Sequence, residues 1–561
     1  MALLAALVLL SARAGQLAMD PRADVRVRGQ VDGQLRIRAT RGEIQDRSGR
    51  QLAVSVDAPS VYVAPREIAD PRATAARLAR ILGVPAARVR ERLASRSSFV
   101  FVARWVSESV KEQVLALGIE GVGVVPEPKR LYPLGDHAGT VVGFMNIDEE
   151  GVRGIEQQEQ AWLRGTLRDY PVERDARGQK LPLPGVDPRA TVGGDVRLTL
   201  DGAMQATAEE ALRRAVERHE ATGGAVVALD PRTGDVLAVA ESPRFDPNRF
   251  RKTAFSASRA RSFSDAVEPG SVMKAFLLAG ALEHAAVSLH EPIECENGSF
   301  RVPGKTIHDH EPHDFLDLAG ILAYSSNIGA TKVAYRLGAE RHFQVLRAFG
   351  FGGSSGSGFP GESAGLLRGW ERWRPVDQAN IAFGQGINVT AIQLAAATAA
   401  LANGGVWRTP RLMAARRPPG GAWTPEKPGK MRRVVRSETA GQVLRLMEGV
   451  VTQGTGRLAG LHGVRVAGKT GTAQILDRES GRYHHDRFVA WFIGIVPADD
   501  PRLVIVAAVE DPQSALHTGG TVAAPLFAEV AAGQLLHMGI YTRPEPIPRA
   551  VARLAAGTDE G

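Results

Sequence analysis

Hydrophobic positions along this chain change their spacing near residue 200, and the change predicts two unlike halves. From about residue 22 to 200, short apolar runs such as 52–56 and 60–63 are separated by Gly- and Pro-rich turns, the mark of short half-buried strands. One helical stretch interrupts them. Ala75, Leu78, Ile81 and Leu82 fall at helical spacing, Gly83-Val-Pro85 breaks the run, and Val89 and Leu93 predict a second short helix. The segment Arg41-Gly-Glu-Ile-Gln-Asp-Arg47-Ser-Gly49 predicts a tight turn leading into a strand. No cluster of reactive side chains marks this half, so it reads as a scaffold.

The second half opens with an alternating run at 195–201 and a helical one at 202–219. Two strands follow, 225–230 and 235–240, joined by Pro231-Arg-Thr-Gly234; Pro and Gly in a four-residue connection predict a hairpin. From there the chain is mainly helical as far as Lys469, strands return at 488–496 and 503–509, and a last helix is expected near 523–537. Strands first and last with helices between predict an α+β fold, one mixed sheet flanked by helices and closed by both ends of this half. No internal repeat is evident.

With 561 residues the chain exceeds one ordinary core, so two or more domains are expected. Hydrophobic residues make up 44% and charged residues 23%, which excludes wholesale disorder. The net charge of +8 suits work beside anionic material such as a membrane surface or a polyanionic wall. Nucleic acid would suit that charge equally well, but Lys and Arg are spread along the chain with no nucleic-acid motif, and no such partner is expected. Cys295 is the single cysteine and excludes an intramolecular disulfide; between Glu294 and Glu296 it reads as a small structural side chain. Residues 2–10 are apolar, but Ser11 and Arg13 follow almost at once. A spanning helix needs roughly 20 apolar residues, and a signal peptide usually starts basic. The run is expected to be the end of a membrane anchor, with a signal remnant as the alternative.

Three short motifs carry the chemistry: Ser271-Val-Met-Lys274, Ser325-Ser-Asn327 and Lys469-Thr-Gly471-Thr472. Each alone is weak; a Ser at a helix start with a solvated Lys nearby is a common cap. In this order, with gaps of 54 and 144 residues, they form the pattern of a serine acyl-transfer site. Ser271 is placed at a helix start, where free N–H groups and the helix dipole favour negative charge. Lys274, one turn on, reaches its hydroxyl and can take its proton if burial lowers the lysine pKa. Ser325 is assigned to relay that proton to the leaving amine, and Asn327 to orient Lys274 and the substrate amide. On an edge strand Lys469 and Thr470 would hold a substrate carboxylate, and Gly471 would admit the substrate backbone. The Thr472 and Ser271 N–H groups would form the oxyanion hole.

Two other patterns compete. Gly463-Val-Arg-Val-Ala-Gly468-Lys-Thr470 matches the phosphate-loop formula, but the helix that should follow is replaced by Thr472-Ala-Gln-Ile and a polar turn. His308, His310 and His313, with Asp309, Glu311 and Asp314 among them, lack a recognised metal-ligand spacing and read as a polar loop near the cleft, as does the His484-His485 pair. No metal or organic cofactor is expected.

With these residues in place, the chain resembles the class B penicillin-binding proteins, and within them the division-specific D,D-transpeptidases of the FtsI type, over about residues 20 to 540. The scaffold half carries Arg41-Gly-x-Ile44-x-Asp46-Arg47-x-Gly49, Tyr132-Pro133, Gly151-x-x-Gly154-Ile-Glu156 and Arg174-Asp-Ala-x-Gly178. The catalytic half carries Pro269-Gly-Ser-Val-Met-Lys274, Gly384-Gln-Gly386 and Gly519-Gly-Thr-Val-Ala-Ala-Pro525. Asn327, where elongation-specific relatives typically have Asp, favours the septal type. The resemblance implies a partial anchor at 1–18, a dimerisation-type pedestal at 19–200, a transpeptidase domain at 201–545 and a flexible tail at 546–561, in a Gram-negative arrangement. It also implies a single-pass inner-membrane protein with its catalytic domain in the periplasm. Ser271 would be acylated by peptidoglycan stem peptides, or by β-lactams, and the acyl group passed to a neighbouring stem's amine. A SEDS-type glycosyltransferase and other divisome membrane proteins are the implied partners. Two rivals remain at this point: a D,D-carboxypeptidase or β-lactamase in which water resolves the acyl group, and a silent β-lactam sensor.

Overall fold

The hairpin expected around Pro231–Gly234 forms one side of the catalytic sheet. In the computed structural model, which describes residues 33–37, 40–165, 168–174, 180–182, 192–476 and 482–546, that sheet has five strands. They are β1 (Gly223–Leu229), β2 (Val236–Ser242), β3 (Ala467–Leu476), β4 (Tyr483–Val496) and β5 (Leu503–Glu510), in the order β2-β1-β5-β4-β3. Strands from both ends of this half meet at the β1–β5 pairing, as the pattern predicts. Every pairing in the sheet is antiparallel, so the mixture of directions expected here is found elsewhere, in the pedestal.

The sheet is buried on both faces, which explains the near-continuous apolar runs of β1 and β5. Along β1 the side chains alternate: Val227 and Leu229 join one core, and Val226 and Ala228 the other. Among the helices of this half are α1 (Gly202–Arg218), α2 (Met273–Glu283), α3 (Leu318–Ala323), α4 (Asn327–Leu337), α5 (Ala391–Ala402), α6 (Ser437–Thr452) and α7 (Ala524–His537). α1 and α7 cover one face; α2, α5 and α6 lie in the other core. Residues 273–281 of α2 are all buried, so the helix is apolar all round and sits inside the domain. The neighbourhood of Ser271 is thereby anchored in the core.

The pedestal departs from its expected elements in two ways: two strand runs merge, and helices beyond the one expected stretch form at Glu108–Leu115, Gly139–Val142, Gly154–Gln158 and Gln160–Leu163. Pro71–Leu82 is helical, capped by Asp70 at its start and by left-handed Gly83 at its end, and Ala86–Leu93 is the second helix. The two runs at 52–56 and 60–63 join into one strand, Gln51–Val63, paired along its length with Val122–Leu131. Pro59 does not break it: it stands opposite Pro126, and its carbonyl is used on the strand's other side, accepting from Val106 N at 2.8 Å, so its missing N–H is not asked for by Pro126. The family motifs of this half converge. Glu156 accepts from Arg41 Nε at 2.6 Å and from Arg130 Nε at 2.7 Å, with the Tyr132 hydroxyl at 3.3 Å. Burial alone would raise the Glu156 pKa, but the Arg130 and Arg41 guanidiniums outweigh it and hold the carboxyl below its ordinary range.

The pedestal sheet does not end at residue 200. Asp195–Leu198 pairs in parallel with Ile44–Gln45 on one side and antiparallel with Met413–Arg417, from the catalytic half, on the other. The two halves therefore share a sheet. Among the described residues no helix is long and apolar enough to cross a membrane; the apolar run at 2–10, most of the Arg174–Gly178 motif and the tail beyond residue 546 lie outside them.

Candidate active site

Pro269 and Gly270 bring the chain into a short 3-10 turn, Gly270–Val272, which passes directly into α2. Ser271 is thus on the helix's leading turn and Lys274 one turn further in. Gly270 has φ +60°, and its N–H donates to Gly384 of the Gly384-Gln-Gly386 motif at 3.2 Å. That left-handed geometry is open to glycine at no cost.

The middle motif lies between α3 and α4, as expected, but its parts separate in role. Ser326 is the N-cap of α4, accepting from Gly329 N at 2.9 Å. Ser325, just before it, takes φ +60°, and its Oγ faces Lys274 and Lys469. Asp309 fixes this turn: it accepts from Ser326 Oγ and Asn327 N at 2.5 Å each and from Ile328 N at 3.0 Å. Cys295, fully buried, lies behind with Sγ 3.6 Å from Ser326 Oγ. Asp309 belongs to the His-rich loop, whose His308 carbonyl accepts from Asn327 Nδ2 at 3.0 Å and whose His313 ring stacks on Tyr324. The loop supports the cleft; among the described residues no group of three His, Cys, Asp or Glu is placed to hold a metal ion.

Lys274 joins the motifs. Its fully buried Nζ lies 3.0 Å from Ser271 Oγ and donates to Ser325 O at 2.5 Å and Asn327 Oδ1 at 2.8 Å. A neutral amine has two N–H donors and one lone pair, so these two acceptors leave the lone pair for the Ser271 hydroxyl. Burial lowers the Lys274 pKa to about 7, against the opposing pull of the Asp309 carboxylate. Ser325 Oγ stands between two lysines, 3.2 Å from Lys274 Nζ and 3.0 Å from Lys469 Nζ. Lys469 is also fully buried, and burial followed by the Lys274 charge holds its pKa well below the ordinary lysine range.

Lys469, Thr470, Gly471 and Thr472 lie on the edge strand β3, paired on one side with β4 alone. This is strand, not phosphate loop: from Lys469-Thr470 the chain continues as strand to Leu476. Thr470 Oγ1 is 2.7 Å from Thr455 Oγ1, and Thr472 Oγ1 accepts from Gly519 N at 3.0 Å, in the Gly519-Gly-Thr motif. A Cβ on Gly471 would lie 2.6 Å from the Pro269 carbonyl oxygen. Its missing side chain therefore already serves the close approach of β3 to the nucleophile turn. A Cβ on Gly270 would in turn meet the Thr472 backbone at 2.8 to 3.2 Å, which sets the Thr472 N–H beside the turn carrying Ser271.

One further residue of this wall had no signal beyond its place before Pro269. The Glu268 carboxylate accepts from Gly386 N at 2.7 Å and from the Tyr483 hydroxyl at 2.8 Å, while its backbone oxygen accepts from Trp491 Nε1 at 3.3 Å. It ties the nucleophile turn to the Gly384–Gly386 loop and to β4.

A serine hydroxyl, two buried lysines, a bridging second serine and an edge strand, set between an antiparallel sheet and a core helix, define a serine acyl-transferase of the penicillin-binding type. Residues 224–532 match the family described as the penicillin binding protein transpeptidase domain, and residues 36–198 the penicillin-binding protein dimerisation domain. The chain is 36% identical over 508 residues to the probable peptidoglycan D,D-transpeptidase PenA of Neisseria meningitidis, covering 90% of this chain and 85% of that protein. It is 32% identical to the peptidoglycan D,D-transpeptidase FtsI of Escherichia coli, over 90% of this chain and 84% of that one. Among solved structures, penicillin binding protein 3 of Mycobacterium tuberculosis, complexed with aztreonam, matches with a TM-score of 0.71 and 29% identity, covering 91% and 98% of the two chains. The chain belongs to the class B penicillin-binding proteins of the FtsI type, serine-type peptidoglycan D,D-transpeptidases.

Proposed function

We propose that this protein cross-links the stem peptides of septal peptidoglycan through an acyl-enzyme on Ser271. The observation that carries the residue assignment is the Lys274 amine, buried, close to neutral, and 3.0 Å from Ser271 Oγ. Neutral Lys274 takes the Ser271 proton as Oγ attacks the penultimate D-Ala carbonyl. The oxyanion that forms is met by the Ser271 and Thr472 N–H groups. Collapse breaks the C–N bond, and the proton passes from Lys274 through Ser325 Oγ to the departing D-Ala amine. A neighbouring stem's amine then attacks the ester, giving its own proton back along the same path, and Ser271 is freed.

Lys469 and Thr470 receive the terminal carboxylate of the donor. Burial and the Lys274 charge hold Lys469 short of its ordinary basicity, and a carboxylate beside it favours the ammonium. Gly471 brings β3 against the nucleophile turn, Asn327 holds Lys274 and the substrate amide, and the edge of β3 accepts the donor peptide as an added strand. Asn327 in the middle motif supports septal work.

The domain limits follow the same reading: an anchor at 1–18, a pedestal to about residue 200, the catalytic domain to 545 and a tail beyond. The anchor crosses the inner membrane once, the catalytic domain works in the periplasm, and the pedestal and anchor engage a SEDS-type glycosyltransferase of the divisome. Product analysis with a stem-pentapeptide donor and a stem-tripeptide amine acceptor tests the reading. Cross-linked dimer with release of D-Ala is expected; a product formed by water alone would place the enzyme among the carboxypeptidases.

A further inference from the structure

A cleft of about 800 Å³ lies between the pedestal and the catalytic half, and the reaction above does not use it. Its walls carry Arg104, Lys129 and Arg130 from the pedestal and Arg249, Arg251 and Lys252 from the segment after β2, and among the described residues no Asp or Glu lines it. Six cations facing one space would repel each other unless something compensates them.

Part of that charge is met from behind. Glu127 accepts from Arg104 Nε and Nη2 at 2.8 and 2.9 Å, Glu156 is divided between Arg130 and Arg41, and Asp246 lies 3.5 Å from Arg249. Among the described residues no carboxylate pairs with Lys129, Arg251 or Lys252. Instead the Arg251 guanidinium lies over the rings of Trp105 and Phe250, 5.0 and 5.7 Å from their centres, and Arg104 also lies over Trp105 at 5.4 Å. The aromatic faces hold these cations in place without neutralising them.

Two buried donors in the same wall have no acceptor. Arg130, whose side chain is 2% exposed, leaves Nη2 without a hydrogen-bond partner, and Trp105 leaves Nε1 so. Trp105 is also held at φ +58°, a backbone conformation that bulky residues rarely adopt and that the surrounding structure must impose. Its backbone N–H donates to Ser60 Oγ at 3.0 Å, which fixes the turn presenting the ring.

We propose that this cleft binds a diphosphate-class anion between the two halves. Three cations without counter-charge are more than one carboxylate can satisfy, and a diphosphate brings several charges with oxygens spaced for guanidinium forks. Lys129 is contributed by the pedestal strand Val122–Leu131, and Arg251 and Lys252 by the 3-10 segment Pro247–Lys252 of the catalytic half. A bound anion therefore ties one half to the other and restrains their relative motion. The diphosphate can be free or can be the headgroup of a lipid; the recognising chemistry is the same.

Isothermal titration of the full chain with inorganic pyrophosphate tests this. Saturable binding is expected, weakened at least about tenfold in the Lys129→Ala/Arg251→Ala double variant, since each lost charge-assisted contact exceeds that factor. Lys252→Ala should weaken it in the same direction, and all variants should keep wild-type acylation by a fluorescent penicillin, which reports intact folding. Displacement of the bound pyrophosphate by a detergent-solubilised lipid diphosphate would assign the lipid headgroup as a source; lack of displacement would assign the free anion. Absence of saturable binding, equal affinity in the double variant, or displacement by acetate at equal concentration would overturn the proposal.

Discussion

Lys274 holds the site's balance of charge. Its two N–H donors are taken by Ser325 O and Asn327 Oδ1, and burial brings its pKa to about 7. The base form is the neutral amine, whose population falls as pH drops through that value. Acylation by penicillin is therefore expected to be roughly tenfold slower at pH 6 than at pH 8. Stopped-flow fluorescence checks this; a flat profile over that interval would remove Lys274 from the base role. Asp309 holds the turn on which Ser325 and Asn327 depend. Asp309→Ala leaves a hydroxyl and two N–H groups without their acceptor and lets the turn shift, for an expected loss of roughly 100-fold in acylation rate. The same assay reads it. Sequence spacing made Ser271, Lys274, Ser325, Asn327 and Lys469 legible because local order places them. Asp309 and Glu268 were not legible in role, since their contacts depend on loops meeting only in the fold.

The nucleophile turn and the edge strand work as one unit. Gly270 and Gly471 let the turn and β3 approach until a Cβ on either would strike the other's backbone. Gly471→Ala should push them apart at a cost of about 1–3 kcal/mol, lowering both the melting temperature and the acylation rate; unchanged values for both would contradict this packing. Helix and strand positions in the catalytic half were readable because their apolar periods are long and uninterrupted. Strand direction was not, because periodicity marks which face is buried and says nothing about the partner's polarity. The merger of two short runs into Gln51–Val63 was hidden for a related reason: Pro59 interrupts a strand only where its N–H would face a partner, and its polar side faces away from Pro126.

Over the whole molecule, the two halves are built into each other. Asp195–Leu198 needs Met413–Arg417 as a partner, a pairing of more than 200 residues' separation that no local pattern reveals. A chain shortened to begin at residue 201 should melt lower and aggregate more than one beginning at 192, by light scattering and calorimetry. Equal behaviour would show the shared sheet to be dispensable. The pedestal's own lock is Glu156, which faces two buried guanidiniums. Glu156→Gln leaves both short of a counter-charge, at a cost of about 3–5 kcal/mol, and should melt the pedestal early while Ser271 still reacts with penicillin. The proposed reaction turns on one atom, Ser271 Oγ, and intact-protein mass spectrometry after exposure to a fluorescent penicillin tests it most directly. One penicilloyl adduct, mapped to Ser271 and absent in Ser271→Ala, is the expected result; an adduct that persists in Ser271→Ala would contradict the account.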